Sequence, residues 1–538
     1  MPRVRLRSRA WERVTAGTMD IMSPGSTRPP HALWTSRFIS EVDPSRIALI
    51  FVLSVALAAR VWNLATHTYV IWPDETFQYL EPAHRLAFGS GIISWEYIYG
   101  IRSWLLPGVI AVAMRLISLV DPDPQGYVSA LRFLCALASL SVPFVGFKLA
   151  ERRLGLPAAV LTGLLCALGY QLVYFAPVIM TEPLATDLSL LAIWIGGDAY
   201  AGRNSFTRLL VAGLLFGLAS SLRYQYAPVL GVIILLQHWR DRRSLAVVAA
   251  GAATVVLLVL GLLDTLTWGR PFQSVWLNYK YNAVDGVSSA MGTARWFTYP
   301  LYYIIAWGAL APVILALAIY GAAQVPVLAS IVVCVIGLHS LVPHKELRLV
   351  FMATACMPIL IGIGLGGVLQ GLRRRWQSAS NVATAVALAI VISASTAIAA
   401  YKRASPPDDW HRDRAMLEAL SVARAVPGAC AAAIRSLAVY RTGGYSYFHR
   451  DIPIYFESWD SSQTIDGTDQ YLPLANVLNG KPVPQYPDAL LSINTNKFNV
   501  MIGSPDDGLP GFSRQNCFGS EWPGEKRYCV FVRPGGCS

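Results

Sequence analysis

Of the 538 residues, 54% are hydrophobic and only 14% charged, against about 25% charged in an ordinary soluble domain. Apolar runs long enough to cross a bilayer fill the difference, which excludes a soluble globular protein and points to a polytopic membrane protein. The formal net charge of +12 reads first as Arg- and Lys-rich cytoplasmic loops, and no motif of a nucleic-acid-binding module is present.

In chain order, residues 1–45 hold Arg3, Arg5, Arg7, Arg9, Arg13, Arg28 and Arg37 among Pro, Ser and Thr. The apolar core of a signal peptide would come much earlier, so this segment is expected to be a disordered basic cytoplasmic tail. The first span, 46–66, follows these arginines, which places its N-terminus in the cytoplasm. Residues 72–103 (WPDETFQYLEPAHRLAFGSGIISWEYIYGIRS) are then delivered to the outer side and are too polar to cross.

The stretch 101–120 contains Arg102, Pro107 and Arg115 and ends at DPDPQG. Counted as a span, it would place the later basic clusters outside. Those clusters are Lys148/Arg152/Arg153, Arg203/Arg208, Arg240/Arg242/Arg243 and Arg373/Arg374/Arg375. Read as an interfacial or re-entrant helix, it leaves all of them cytoplasmic.

Further spans are expected over 127–149, 155–176, 183–201, 207–222, 226–239, 244–263, 299–320, 324–342, 347–370 and 381–401, giving about 11 in all. An odd number puts the C-terminus outside, at the cost of Lys402 and Arg403 on the unfavoured side. The pair within 207–239 is short for two crossings. The segments 67–126, 176–183, 222–228, 264–298 and 342–348 then gather on the outer face. They carry most of the polar and aromatic sequence, which is where chemistry is expected.

The expected domains are therefore the tail 1–45, a membrane domain 46–401 with an outer catalytic loop 67–126, and a small α/β domain 402–538. In the last, 412–426 reads as a helix, and CAAAIRSLAVYRTGGYSYF and FNVMIGS read as short strands. Cys135, Cys166, Cys334 and Cys356 lie in apolar runs and read as inert. Cys430, Cys517, Cys529 and Cys537 lie in the tail domain. Their even number is compatible with disulfides in an oxidising compartment, with the pairing left open.

Three outer motifs carry candidate chemistry. In WPDE (72–75), Asp74 reads either as the cap of a helix starting at Glu75 or as a general base. A sugar hydroxyl has a pKa far above neutrality and needs a positioned carboxylate to take its proton. In TEP (181–183), Glu182 starts a span at the same level. Either it complements the helix dipole, or it joins Asp74 and Glu75 as a candidate catalytic acid. In HKELR (344–348), His344, Lys345 and Arg348 form a basic cluster on the unfavoured side. It suits a phosphate that gains charge as a sugar–phosphate bond breaks, and Glu346 is placed to hold it.

Arg102 and Arg223 are further candidate phosphate ligands or lipid-headgroup anchors. Gln78, Trp95, Glu96 and, from 264–298, Tyr279 are candidate substrate-binding residues. No P-loop, HExxH or paired-cysteine zinc pattern is present, so no metal and no cofactor are expected.

PDETFQYLEPAHRLAFGSG, WEYIYGIRSWLLP and PHKELR, in that order, resemble the signature blocks of the Alg9/PIG-B-type α-mannosyltransferases. These are enzymes of glycosyltransferase family 22 with the GT-C fold. The resemblance covers roughly residues 46–400. Trp72 stands where that family usually has His, and Leu347 and Leu349 where it has Phe. The opening block and Glu182–Pro183 also resemble bacterial GT-C enzymes that transfer aminoarabinose.

The resemblance implies an inverting hexosyltransferase with a polyprenyl-phosphate mannose donor and a lipid-linked or glycan acceptor. Asp74 would be its base, and Arg102, His344, Lys345 and Arg348 its phosphate ligands. Transfer of another sugar is the alternative. A lipid or sugar transporter would require internal repeats and midplane charges, which the sequence lacks. The expected location is a bacterial inner membrane with the site facing the periplasm, or the endoplasmic reticulum membrane in a eukaryote.

Overall fold

A computed structural model describes residues 43–66, 72–197, 205–290, 292–375, 382–403, 414–435, 442–456, 489–491, 495–519 and 526–537. Almost all of the expected tail 1–45 lies outside them. The chain clusters into two units, Met1–Ile47 and Ala48–Ser538, and the second holds nearly all of the described residues.

Among the described residues, five helices are long and apolar enough to span a bilayer: Pro44–Thr66, Pro124–Leu154, Arg242–Trp268, Thr298–Gln324 and Leu347–Leu372. Shorter apolar helices include Leu156–Leu168, Phe206–Leu222 and Pro326–Leu341. The expected count of about 11 crossings is not confirmed. The reason is length: Ala227–His238 has 12 residues. At a rise of about 1.5 Å per residue it covers little over half of a hydrocarbon core of about 30 Å.

The helices pack closely where small residues face each other. A Cβ on Gly213 would sit 2.4 Å from the Val248 carbonyl oxygen, so Phe206–Leu222 and Arg242–Val256 meet backbone to backbone. The second of these does not stop at residue 263 as expected. It continues through a π-helical segment, Leu257–Leu263, to Trp268 and ends at Gly269 (φ 80°). Asp264, expected in an outer loop, is therefore helical and buried, accepting from Ser274 N at 3.0 Å and Ser274 Oγ at 2.6 Å.

The outer unit begins with a helix that becomes π-helical over Glu75–Leu80 and continues as Glu81–Phe88. Gly89 (φ 91°) ends it, and the chain turns back toward Arg102. Leu105–Ser118 follows, with 14 residues. Leu106, Ile110 and Met114 face the protein, while Val109, Val112 and Leu116 are exposed. At 14 residues it is shorter than the roughly 20 that a membrane crossing needs.

After the helix Val382–Arg403, the described residues form a six-stranded sheet in the order β3-β2-β1-β4-β6-β5. The strands are β1 Ala432–Ile434, β2 Ile454–Phe456, β3 Ala489–Leu491, β4 Val500–Gly503, β5 Ser513–Phe518 and β6 Tyr528–Val532. The first four in spatial order are parallel, and β6 and β5 add antiparallel pairs. The helix Arg414–Ala425 packs against β4, β5 and β6 and buries Met416, Leu417 and Leu420. The expected strand through TGGYSYF is instead a helical turn, Gly444–Phe448. Gly443 and Gly444 both take positive φ (77° and 59°) and break the extended chain.

The tail cysteines pair as Cys430–Cys537 and Cys517–Cys529. The first closes a loop of 107 residues. Cys430→Ser is accordingly expected to destabilise the sheet domain by about 2–5 kcal/mol, read as a lowered melting temperature.

Candidate functional site

A cavity of about 1140 Å³ opens where the outer segments meet. Asp74, Gln78, Ser94, Trp95, Glu96 and Arg102 line it from the outer unit. Arg223, Tyr224 and Gln225 come from the turn after Phe206–Leu222. His339 comes from the last turn of Pro326–Leu341, His344, Glu346 and Arg348 from the link between that helix and Phe351–Arg375, and Tyr279 from the segment after Trp268.

Asp74 does not cap its helix. Its backbone is helical (φ −65°, ψ −33°) and its side chain makes no capping bond. Pro73 occupies an earlier helical position, where its fixed φ is favourable and its missing N–H costs nothing. The Asp74 carboxylate is thereby free for side-chain partners. It accepts from Gln78 Nε2 one turn on and pairs with Arg348. The Gln78 amide also donates to Glu96 Oε1 at 2.8 Å, which ties the outgoing and returning limbs of the outer loop across the cavity wall.

Arg348 is the hub. Besides Asp74 it contacts Glu346, and its Nη1 lies 3.9 Å from Glu182 Oε1. Glu182 is fully buried and lies 3.3 Å from Arg223 Nη1. Asp74, Arg348, Glu182 and Arg223 thus alternate in charge, with Glu182 buried behind the wall that the other three line. His344 Nε2 meets Glu346 Oε1 at 2.7 Å. Burial alone would raise the Glu346 carboxyl, but Arg348 and His344 outweigh it and hold it down at about 2. Glu96 shows the reverse. Burial raises its pKa, assisted by Asp74 and opposed by Arg102.

Several buried polar atoms of wall residues have no hydrogen-bond partner: Nε of Arg102, Nε of Arg223 and Oε1 of Gln78. Buried polar groups in native proteins are normally satisfied. Their convergence on one cavity fits a polar or anionic ligand. Among the described residues, no group of three His, Cys, Asp or Glu side chains could hold a metal ion.

Three candidates from the sequence lie off the cavity lining. Glu182 is buried behind Arg223 and Arg348, which do line it. Glu75 turns away from the cavity into the core. It pairs with Arg132 at 3.0 Å and accepts from the Ile179 N–H at 3.2 Å. The Lys345 amine donates to the Ser340 carbonyl at 3.1 Å and to that of Val342, at the end of the preceding helix. Lys345→Ala is therefore expected to change turnover less than about threefold, since those carbonyls lie at an exposed helix end where water replaces the amine. Trp95 and Tyr279 do line the cavity. Tyr224, Gln225 and His339 also line it and were not singled out from the sequence. The only signal for the first two was their adjacency to Arg223.

A bundle of apolar helices, an outer cavity of alternating acids and arginines, and a small sheet domain after the last helix define the GT-C class of membrane glycosyltransferase folds. Among solved structures, the chain superimposes on ArnT from Cupriavidus metallidurans bound to undecaprenyl phosphate with a TM-score of 0.60. That match covers 91% of this chain and 98% of that one at 13% identity, a likeness of fold alone.

The chain belongs to the Alg9-like mannosyltransferase family, whose model matches residues 51–449. It is 29% identical over 320 residues to GPI mannosyltransferase 3 of Yarrowia lipolytica, covering 56% of this chain and 59% of that protein. It is 27% identical over 350 residues to GPI mannosyltransferase 3 of Trypanosoma brucei brucei, covering 56% and 62%. Mannosyltransferase APTG1 of Arabidopsis thaliana is 27% identical over 317 residues, with 57% and 56% covered. The matched region thus spans under two thirds of these relatives. They come from a yeast, a trypanosome and a plant, and the expected bacterial inner membrane is not supported. A multi-pass integral membrane protein is what holds.

Proposed function

We propose that the protein is an inverting mannosyltransferase. It moves mannose from a polyprenyl-phosphate donor to a hydroxyl of a lipid-linked or glycan acceptor, with Asp74 as general base. The observation that carries this reading is Asp74 held against Arg348 in a cavity where several other buried wall atoms lack partners, in a chain of the Alg9-like mannosyltransferase family.

The acceptor oxygen attacks the anomeric carbon while the bond from that carbon to the phosphate oxygen breaks. The acceptor proton passes to Asp74. The phosphate leaves with increased charge, and Arg102, Arg223, Arg348 and His344 surround the space where it would sit. Fixed cationic donors stabilise such developing charge most in a site that excludes water. In this reading no metal or other cofactor takes part. The apolar walls at Leu338, Leu341, Val342 and Trp276 suit a lipid chain.

The cavity would face the oxidising, non-cytoplasmic side. The disulfide-bearing domain contacts the outer unit directly through Ser446 and Glu81. The test is transfer of radiolabelled mannose from polyprenyl phosphate mannose by membranes holding the protein, against a panel of lipid-linked glycan acceptors. Label transferred from a different polyprenyl-phosphate sugar, and not from mannose, would overturn the choice of sugar.

A further inference from the structure

The cavity depends on two limbs of one loop. The outgoing limb carries Asp74 and Gln78, and the returning limb carries Ser94, Trp95, Glu96 and Arg102. Between them lies the turn at Gly89–Gly91. Side-chain bonds near the base hold the limbs together: Gln78 to Glu96, and the Tyr97 hydroxyl to the Gln78 carbonyl at 2.8 Å. At the turn itself, the carboxylate of Glu81 joins them.

Glu81 is fully buried. Its Oε2 accepts from the Ile92 N–H at 2.7 Å, at the start of the returning limb. Its Oε1 accepts from the Ser446 N–H at 2.5 Å and the Ser446 hydroxyl at 2.7 Å. Ser446 lies on the turn of helix Gly444–Phe448 in the C-terminal domain, 365 positions away. One carboxylate thus binds three segments.

The approach is close. A Cβ on Gly444 would sit 2.5 Å from the Glu81 carboxyl carbon, and Gly444 has φ +59°. Only glycine fits there without strain. One turn beyond Glu81, a second bond crosses the same junction. The His84 ring contacts the Ser90 carbonyl through Nδ1 and His449 Nδ1 through Nε2 at 2.8 Å. With His84 Nδ1–H donating to Ser90, His84 Nε2 accepts from His449. The Tyr127 hydroxyl donates to the Ser446 carbonyl at 2.8 Å.

We propose that Ser446 of the C-terminal domain and Glu81 form a clasp that sets the distance between the two limbs, making Glu81 and Ser446 positioning residues for the reaction at Asp74. The proposal rests on the transferase reading above. Burial raises the Glu81 carboxyl, the donors from Ile92 and Ser446 oppose it, and the balance leaves it at about 7. A small displacement of a base relative to its substrate costs turnover steeply, about a hundredfold for 1 Å.

The test uses the full-length protein in membranes with Glu81→Gln, Ser446→Ala, Ser446→Thr and the double variant of the first two. Turnover is read per folded molecule from saturating-substrate rates, with folded protein counted by thermal-shift size exclusion. Glu81→Gln turns an acceptor into a donor facing N–H groups. It is expected to lower kcat by about ten- to a hundredfold, and Ser446→Ala by less. Ser446→Thr keeps the hydroxyl and is expected to restore most of the rate. The double variant Glu81→Gln with Ser446→Ala should be little worse than Glu81→Gln alone, because the hydroxyl-to-carboxylate bond that Ser446→Ala removes is already lost in Glu81→Gln.

Hydrogen exchange over residues 89–104 is read in parallel, and the Ile92 amide should exchange faster in Glu81→Gln. A normal kcat per folded molecule in both Glu81→Gln and Ser446→Ala, with only melting lowered, would make the contact merely structural and overturn the proposal. If Glu81→Gln does not fold, Ser446→Ala against Ser446→Thr decides. If the wild-type protein transfers no mannose, the functional reading fails by itself. The exchange comparison then decides whether the clasp holds the loop.

Discussion

Asp74→Asn is expected to lower transfer turnover by about a hundredfold to ten-thousandfold, the range that a positioned general base contributes. Asparagine keeps the size of the side chain and can still meet the Gln78 amide, but it cannot take the acceptor proton. The loss should appear in kcat. The protein should remain folded, because Arg348 keeps Glu346 and lies 3.9 Å from Glu182 when Asp74 loses its charge. Asp74 makes no capping bond, so removal of a helix cap cannot explain a loss of activity. Initial rates with radiolabelled donor, divided by folded protein, check this. Wild-type turnover in Asp74→Asn would remove Asp74 from the chemistry.

Much of this site was legible because its parts are local. WPDE, TEP and HKELR each sit at the edge of an apolar run, where a polar residue has no ordinary reason to be buried. The structure brings Asp74, Glu182 and Arg348 into one chain of ion pairs, of which Asp74 and Arg348 line the cavity. The even cysteine count anticipated disulfides, while the pairing depended on how β4, β5 and β6 fold together. What failed depended on helix phase. Glu75 follows Asp74 directly, and neighbours on a helix point about 100° apart. One therefore faces the cavity and its neighbour the core, and sequence does not say which, least of all through a π-helical segment that shifts the phase.

The helix start moved for a similar reason, because Pro73 can open a helix as readily as it ends the preceding segment. Lys345 sits inside a basic cluster, yet its amine is used by carbonyls at the end of its own neighbouring helix. Ser446 could not have been found. Nothing near it marks it, and its partner Glu81 is 365 residues away.

Glu75→Ala is expected to act on stability rather than chemistry. Glu75 is buried and meets Arg132 through two hydrogen bonds, 3.2 Å to Nε and 3.0 Å to Nη2, with the Ile179 N–H as a third donor. Removing one partner of such a pair strands a buried charge and costs about 3–5 kcal/mol, a large part of a typical total of about 5–15 kcal/mol. The variant should melt lower and accumulate poorly, while the folded fraction turns over at nearly the wild-type rate. Removing both charges is a different matter. Glu75→Leu with Arg132→Leu should recover much of the lost stability, because a buried ion pair is often no better than apolar residues of similar volume. Glu75 and Asp74 are adjacent carboxylates, so the pair of variants separates the two roles. Loss of turnover with intact folding in Glu75→Gln would place Glu75 in the chemistry after all. Loss of folding with intact turnover per molecule, set beside the opposite result for Asp74→Asn, would assign the base to Asp74 alone.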